Sequence, residues 1–226
     1  VITGARKGIG RHLTEHYLAS GNRVYGCSRG VSDLVDPNYI HVCADVSQER
    51  DVRKLFARVR LDGVQLQGLI NNAGVAAMNH ALLTPADVVE SLIRTNYLGT
   101  FLCSREASRL MQTFKCGRIV NFTSVAVALS LAGEAAYAAS KGAVETLTRV
   151  LARELAVYGI TVNAVGPTPV ATDLIASVPR EKIESLIGSQ AIRRMGTYED
   201  VVNAVDFFLS PSSGMVTGQV LYLGGV

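Results

Sequence analysis

The 226 residues contain no tryptophan and only four cysteines and four histidines. Cys27, Cys43, Cys103 and Cys116 form no CxxC pair and stand mostly in apolar runs. They read as small buried hydrophobes of a reducing compartment, not as a disulfide framework or a metal site. An excess of either charge is missing too: 22 Lys+Arg against 19 Asp+Glu leave +3, scattered along the chain, which argues against a polyanionic partner. The one basic stretch, Arg53, Lys54, Arg58 and Arg60, alternates with Val52, Leu55, Phe56 and Val59 as an amphipathic helix with a solvated face, so no nucleic acid is expected. No apolar run reaches the ~18 residues that span a bilayer, and no cleavable signal is recognisable. The expectation is a cytoplasmic protein with no membrane partner.

Hydrophobic residues make up 48% and charged ones 18%, enough for one sizeable core. The length suits a single domain over residues 1–226. Short β-branched runs (Val1–Thr3, Arg23–Cys27, Ile40–Ala44, Gly68–Asn71, Arg118–Phe122, Thr161–Val165 and Val220–Leu223) alternate with helical patterns. That alternation predicts a doubly wound α/β domain of Rossmann type, with a mostly parallel seven-stranded sheet and helices on both faces. Thr84-Pro85-Ala86-Asp87 and Thr197-Tyr198-Glu199-Asp200 carry helix-start signals, and a long helix is expected over about 138–158, ending at Gly159. The stretch 167–196 holds three prolines and no strand pattern, and is expected to be a substrate flap.

Thr3-Gly4-Ala5-Arg6-Lys7-Gly8-Ile9-Gly10 lies where the first strand becomes a helix. Glycines there let the backbone approach a pyrophosphate at the positive end of the helix. The spacing TGxxxGxG resembles that of the classical short-chain dehydrogenases/reductases, and the likeness runs from Val1 to Gly225. In that family an acid ending the second strand reads the ribose 2′-OH. Ser28-Arg29 stand here instead, and with Lys7 they suit a 2′-phosphate, so NADP(H) is preferred over NAD(H). The resemblance further assigns Asp45-Val46 to adenine and Asn72-Ala73-Gly74, within an NNAG motif, to the wall of the cofactor cleft. Asn71 of the same motif can brace the sheet or line the cleft. Pro167, Val170 and Thr172 are assigned to the nicotinamide side, although Thr168 replaces the glycine that usually follows the proline.

Tyr137 and Lys141, four residues apart, share a helix face, so the ammonium is expected to lower the phenol pKa and make Tyr137 a usable acid or base. Ser124 closes the fifth strand, where its hydroxyl can hold a substrate oxygen. Asn96 sits mid-helix with little local reason to be there. In the family that position supports a proton relay to the lysine through a water on its backbone carbonyl, so Asn96, Ser124, Tyr137 and Lys141 match the catalytic tetrad. The resemblance implies hydride transfer between NADP(H) and a small-molecule carbonyl or secondary alcohol.

The substrate lining is expected from 125–131, the neighbourhood of Glu134 and the segment from Leu174 to Ile187. The pattern is nearest to 3-oxoacyl-(acyl-carrier-protein) reductases, which makes a 3-oxoacyl thioester one candidate. Lys115 matches one basic docking position near the cleft of those enzymes, while Tyr158 replaces a second. The resemblance also implies a homotetramer or homodimer. Two alternatives stand beside this reading. An NADP(H)-binding sensor without turnover would not need the tetrad, and a nucleotide-sugar enzyme would need a larger C-terminal domain. The short first strand and the final Gly224-Gly225-Val226 suggest an enzyme trimmed at both ends.

Overall fold

The computed structural model describes every residue except 174, 176 and 177. Seven parallel strands form one sheet: β1 (Ile2–Thr3), β2 (Val24–Ser28), β3 (Tyr39–Cys43), β4 (Gly68–Asn71), β5 (Gly117–Phe122), β6 (Ile160–Gly166) and β7 (Val220–Tyr222). Their spatial order is β3-β2-β1-β4-β5-β6-β7. After β1 the chain winds outward through β2 and β3, then returns to build the other half from β4. Side chains at that reversal diverge above the strand ends and leave a crevice between β1 and β4.

Among the described residues eight α-helices connect the strands: α1 (Gly8–Ala19), α2 (Glu49–Leu61), α3 (Ala86–Leu92), α4 (Gly99–Met111), α5 (Val125–Leu129), α6 (Ala135–Leu155), α7 (Arg180–Gly188) and α8 (Tyr198–Leu209). The apolar stripes of α2, α4 and α6, including Leu55, Phe56, Met111 and Leu151, form the core on one face of the sheet. Leu13 and Leu18 of α1, with Val201, Val205 and Phe208 of α8, form it on the other. The central strands β5 and β6 are buried over almost their whole length, which their unbroken apolar runs require.

Three local expectations need correction. Thr197 and Asp200 do form a reciprocal capping box on α8, but Thr84 does not cap α3. Pro85 is extended at φ −66° and ψ 149°, so α3 begins one residue later. Thr84 instead donates its hydroxyl back to the His80 carbonyl at 3.1 Å. Secondly, only Cys27 and Cys103 are buried; Cys43 and Cys116 are exposed. Thirdly, the residues after Ser124 are not a loop but the short helix α5, and only part of it faces the cleft. Among the described residues no helix is long and apolar enough to cross a membrane.

Candidate active site

The glycine turn follows directly from β1. Gly4 and Gly8 have φ of +69° and +58°, values that L side chains rarely adopt. Gly10 is excluded from carrying a side chain by contact alone: a Cβ there would lie 2.2 Å from the Gly4 carbonyl oxygen. No side chain caps α1, and its first turn holds no acid. The unpaired N–H groups of that turn therefore open into a cavity of about 370 Å³ lined by Gly4, Arg6, Lys7, Gly8, Ile9, Ser28, Arg29, Asp45, Val46, Asn72, Ala73 and Gly74. A backbone cradle closed to Cβ, a positive helix end and flanking cations fit a dinucleotide.

Asn72 braces that turn by donating to the Thr3 carbonyl at 3.0 Å, and Thr3 Oγ1 accepts from the Ala73 N–H at 2.9 Å. Asn71, whose role the sequence leaves open, is buried inside the sheet layer. It donates to Asn121 Oδ1 at 2.8 Å and to Ser104 Oγ at 3.0 Å, away from the cleft. Asp45 turns the chain after β3 by accepting from the Ser47 N–H at 2.9 Å.

Lys7 and Arg29 both line the 370 Å³ cavity. The Lys7 ammonium pairs with Asp173 at 2.7 Å, at the flap. Arg6 joins them at the β2 end: its guanidinium carbon would lie 3.5 Å from a Cβ on Gly30, beside exposed Arg29. The loop carrying Arg29 is held from within. Ser28 Oγ donates to the Gly30 carbonyl at 2.7 Å, and His41 Nε2 meets the same carbonyl at 2.9 Å.

Beyond the turn lies a second cavity, of about 510 Å³, into which Ser124, Tyr137 and Lys141 project together. Ser124 is delivered by the end of β5 and becomes the cap of α5, accepting from the Ala126 N–H at 3.2 Å. Tyr137 lies in the first turn of α6, and Lys141 one turn later. Burial, with no carboxylate partner, lowers the Lys141 pKa to about 8. The expected lowering of Tyr137 does not occur. Burial pushes it up to about 12, with the Ser124 hydroxyl pulling down and the Glu134 carboxylate adding to the rise.

Asn96 lies in a π-helical turn, Ile93–Leu98, between α3 and α4. Such a turn makes i→i+5 bonds and shifts the helix register, which is how a buried asparagine can face inward here. Its side chain clamps Val75, accepting from the N–H and donating to the carbonyl, both at 2.9 Å, and also donates to Ser140 Oγ at 2.9 Å. The Asn96 carbonyl, the atom the resemblance singles out, accepts from the Thr100 hydroxyl at 2.7 Å, which leaves it one lone pair.

Pro167, Val170 and Thr172 all line the 510 Å³ cavity. Thr168 resolves the missing glycine: it is not among the residues with positive φ, and its buried hydroxyl accepts from Gln190 Nε2 at 2.6 Å. Of the expected substrate lining, Val125, Ala126, Leu129, Leu131, Glu134, Ile175, Val178, Lys182, Ile183, Ser185 and Leu186 face this cavity, while Val127, Ala128, Ser130 and Ile187 do not. Leu174 lies outside the described residues. Sequence reasoning missed Val75, Ala76 and Met78, which follow β4. No motif marks them, and only the sheet order brings them here. Lys115 is also misplaced by sequence reasoning. It precedes β5, at the opposite end of that strand from Ser124, and its carbonyl packs against Gly159.

A doubly wound sheet with a glycine-turn cradle and a Ser-Tyr-Lys cluster at one crevice defines an oxidoreductase of the short-chain dehydrogenase/reductase type. The family model described as enoyl-(acyl carrier protein) reductase matches residues 4–225, and the chain belongs to that family. A 3-oxoacyl-[acyl-carrier-protein] reductase of Synechocystis sp. is 33% identical, with the alignment covering 100% of this chain and 94% of that protein. Among solved structures, 4-hydroxyisoleucine dehydrogenase complexed with NADH superposes with a TM-score of 0.91 at 28% identity, covering 99% of this chain and 96% of that one. ElxO with NADP bound gives 0.90 at 28% identity, covering 98% and 95%.

Proposed function

We propose that this chain is an NADP(H)-dependent reductase of a carbonyl compound, working in the cytoplasm as a homotetramer or homodimer. The observation that carries the reading is the convergence of Ser124, Tyr137 and Lys141 on one cavity wall beside the glycine-turn cradle. NADP(H), when bound, supplies the hydride. Gly4, Gly8, Ile9 and Gly10 would face its pyrophosphate, Arg6, Ser28 and Arg29 its 2′-phosphate, and Asp45 and Val46 its adenine. Asn72, Ala73, Gly74, Pro167, Val170 and Thr172 would line the nicotinamide half.

Ser124 holds the substrate oxygen by its hydroxyl, and Tyr137 donates the proton that this oxygen gains. With its pKa pushed up to about 12 the phenol is protonated at neutral pH and so carries the proton to be donated, while the neighbouring Lys141 charge favours its loss. Lys141, with Asn96 behind it, places positive charge where the phenolate forms. The flap over 167–196 excludes water from the substrate side.

The preference for NADP(H) rests on Arg6 and Arg29 beside the end of β2, where Ser28 stands instead of an acid; the two structural neighbours were solved with different cofactors, NADP and NADH. A 3-oxoacyl thioester is supported by the relative named above and by the apolar cavity wall. The position of Lys115 at the far end of β5 gives it no support. The deciding experiment is NADPH oxidation across a carbonyl panel with Tyr137→Phe as control. Loss of about 10²–10⁴-fold in turnover is expected. A variant that kept full turnover would overturn the role of Tyr137, and binding of NADPH with no turnover of any carbonyl would favour the sensor.

A further inference from the structure

The substrate cavity contains one carboxylate, and nothing in the local structure employs it. Glu134 stands at the N-cap position of α6, three residues before Tyr137, yet its side chain makes no capping hydrogen bond. It lines the cavity among Val75, Met78, Val125, Leu129 and Leu131. Burial raises its pKa, and the Lys182 charge acts to lower it. Lys182 projects from α7 of the flap to the same cavity wall. Its ammonium lies 3.3 Å from the Met78 sulfur, a weak acceptor, and makes no ion pair among the described residues. Glu134 is half-buried against apolar side chains and gains when a ligand supplies it a hydrogen-bond donor, while Lys182 stays exposed at the cavity mouth, free to meet an anion as it enters.

We infer that Glu134 and Lys182 select a hydroxylated acid: a hydroxyl beside the reacting carbon donates to the Glu134 carboxylate, and a substrate carboxylate meets the Lys182 ammonium. A plain acyl chain would displace water from Glu134 without replacing its hydrogen bonds and would offer nothing to Lys182. This inference rests on the oxidoreductase reading above and names the substrate class of the same site. It also assigns α7 a purpose, since Lys182 can meet the anion only from the flap side.

Four matched alcohols test it in the oxidation direction, with both NADP+ and NAD+: butan-2-ol, butane-2,3-diol, 3-hydroxybutanoate and 2,3-dihydroxybutanoate. Each added group is expected to raise kcat/KM about tenfold, the size of one hydrogen bond to a charged partner. Glu134→Leu should abolish the gain from the second hydroxyl, Glu134→Gln should keep part of it, and Lys182→Met should abolish the gain from the carboxylate. A flat ranking, with turnover still lost in Tyr137→Phe, overturns the inference and leaves the oxidoreductase reading standing. If none of the four turns over, the thermal shift of the NADP+-equilibrated protein with 2,3-dihydroxybutanoate decides. A rise in Tm that Glu134→Leu loses supports the pair, and no rise overturns it.

Discussion

The Lys141 ammonium donates to the carbonyl oxygen of Phe122 at 2.8 Å, which ties α6 to the end of β5 two residues before Ser124. That one bond makes the separation of Ser124 and Lys141 a property of the packed core. It gives the buried cation one neutral acceptor, but burial away from water outweighs that contact and lowers its pKa to about 8.

Burying that charge opposes folding, and the pH dependence has a definite sign. With the folded value near 8 and the reference at 10.5, the unfolded chain binds more protons between those limits, so stability rises with pH across that window. The cost is fully present below about pH 8. Lys141→Met is expected to unfold at higher denaturant at pH 7, by up to ~3 kcal/mol, with the gain shrinking above pH 8 and activity lost. Urea titrations at pH 7 and pH 10 read both effects, and an equal gain at the two pH values would contradict the argument.

Asn96 should matter for stability as well as turnover. Asn96→Leu leaves the Val75 N–H and carbonyl without their partner, and each orphaned group costs about 1–3 kcal/mol. A loss of ~2–4 kcal/mol in chemical denaturation is expected. A change under ~0.5 kcal/mol would show that the Val75 loop finds water instead.

The two cations of the cofactor end should separate in kinetics. Lys7 is engaged with Asp173, whereas Arg29 is exposed beside Gly30. Arg29→Asp should shift the NADPH/NADH preference by at least tenfold towards NADH, and Lys7→Ala should move it only a few-fold. Equal shifts from both would return Lys7 to the 2′-phosphate site.

Reduced support for the cofactor loop should appear in the same ratio. His41→Ala removes the contact to the Gly30 carbonyl beneath Arg29. A rise of a few-fold in the NADPH KM, with kcat little changed, is expected from steady-state kinetics. A fall in kcat alone would place the effect elsewhere.

Much of the site was legible because the elements that bear it are local. A glycine turn after a strand, and a Tyr-x-x-x-Lys pair on one helix face, have geometry that neighbouring residues impose. Ser124 was legible because a parallel strand must end at the crevice. The Lys7–Asp173 pair was not legible because Asp173 is far away in sequence and only the fold brings it beside the glycine turn. The Tyr137 pKa was misread for a similar reason: spacing brings a cation near, but burial depends on every element packed around the phenol, and desolvation is the larger effect.

The amino-acid sequence by itself determined the alternation of strands and helices, the parallel sheet, the cofactor cradle and the order of the catalytic groups, since each follows from periodicity or from short-range backbone geometry. Only the tertiary structure decided which polar groups face one another across the cleft. It turned Asn96 inward through a π turn, drew Asn71 into the sheet layer and set Glu134 opposite Lys182. Those pairings join residues from separate elements, and their energies depend on burial and on distances that only the packed sheet and its helices supply.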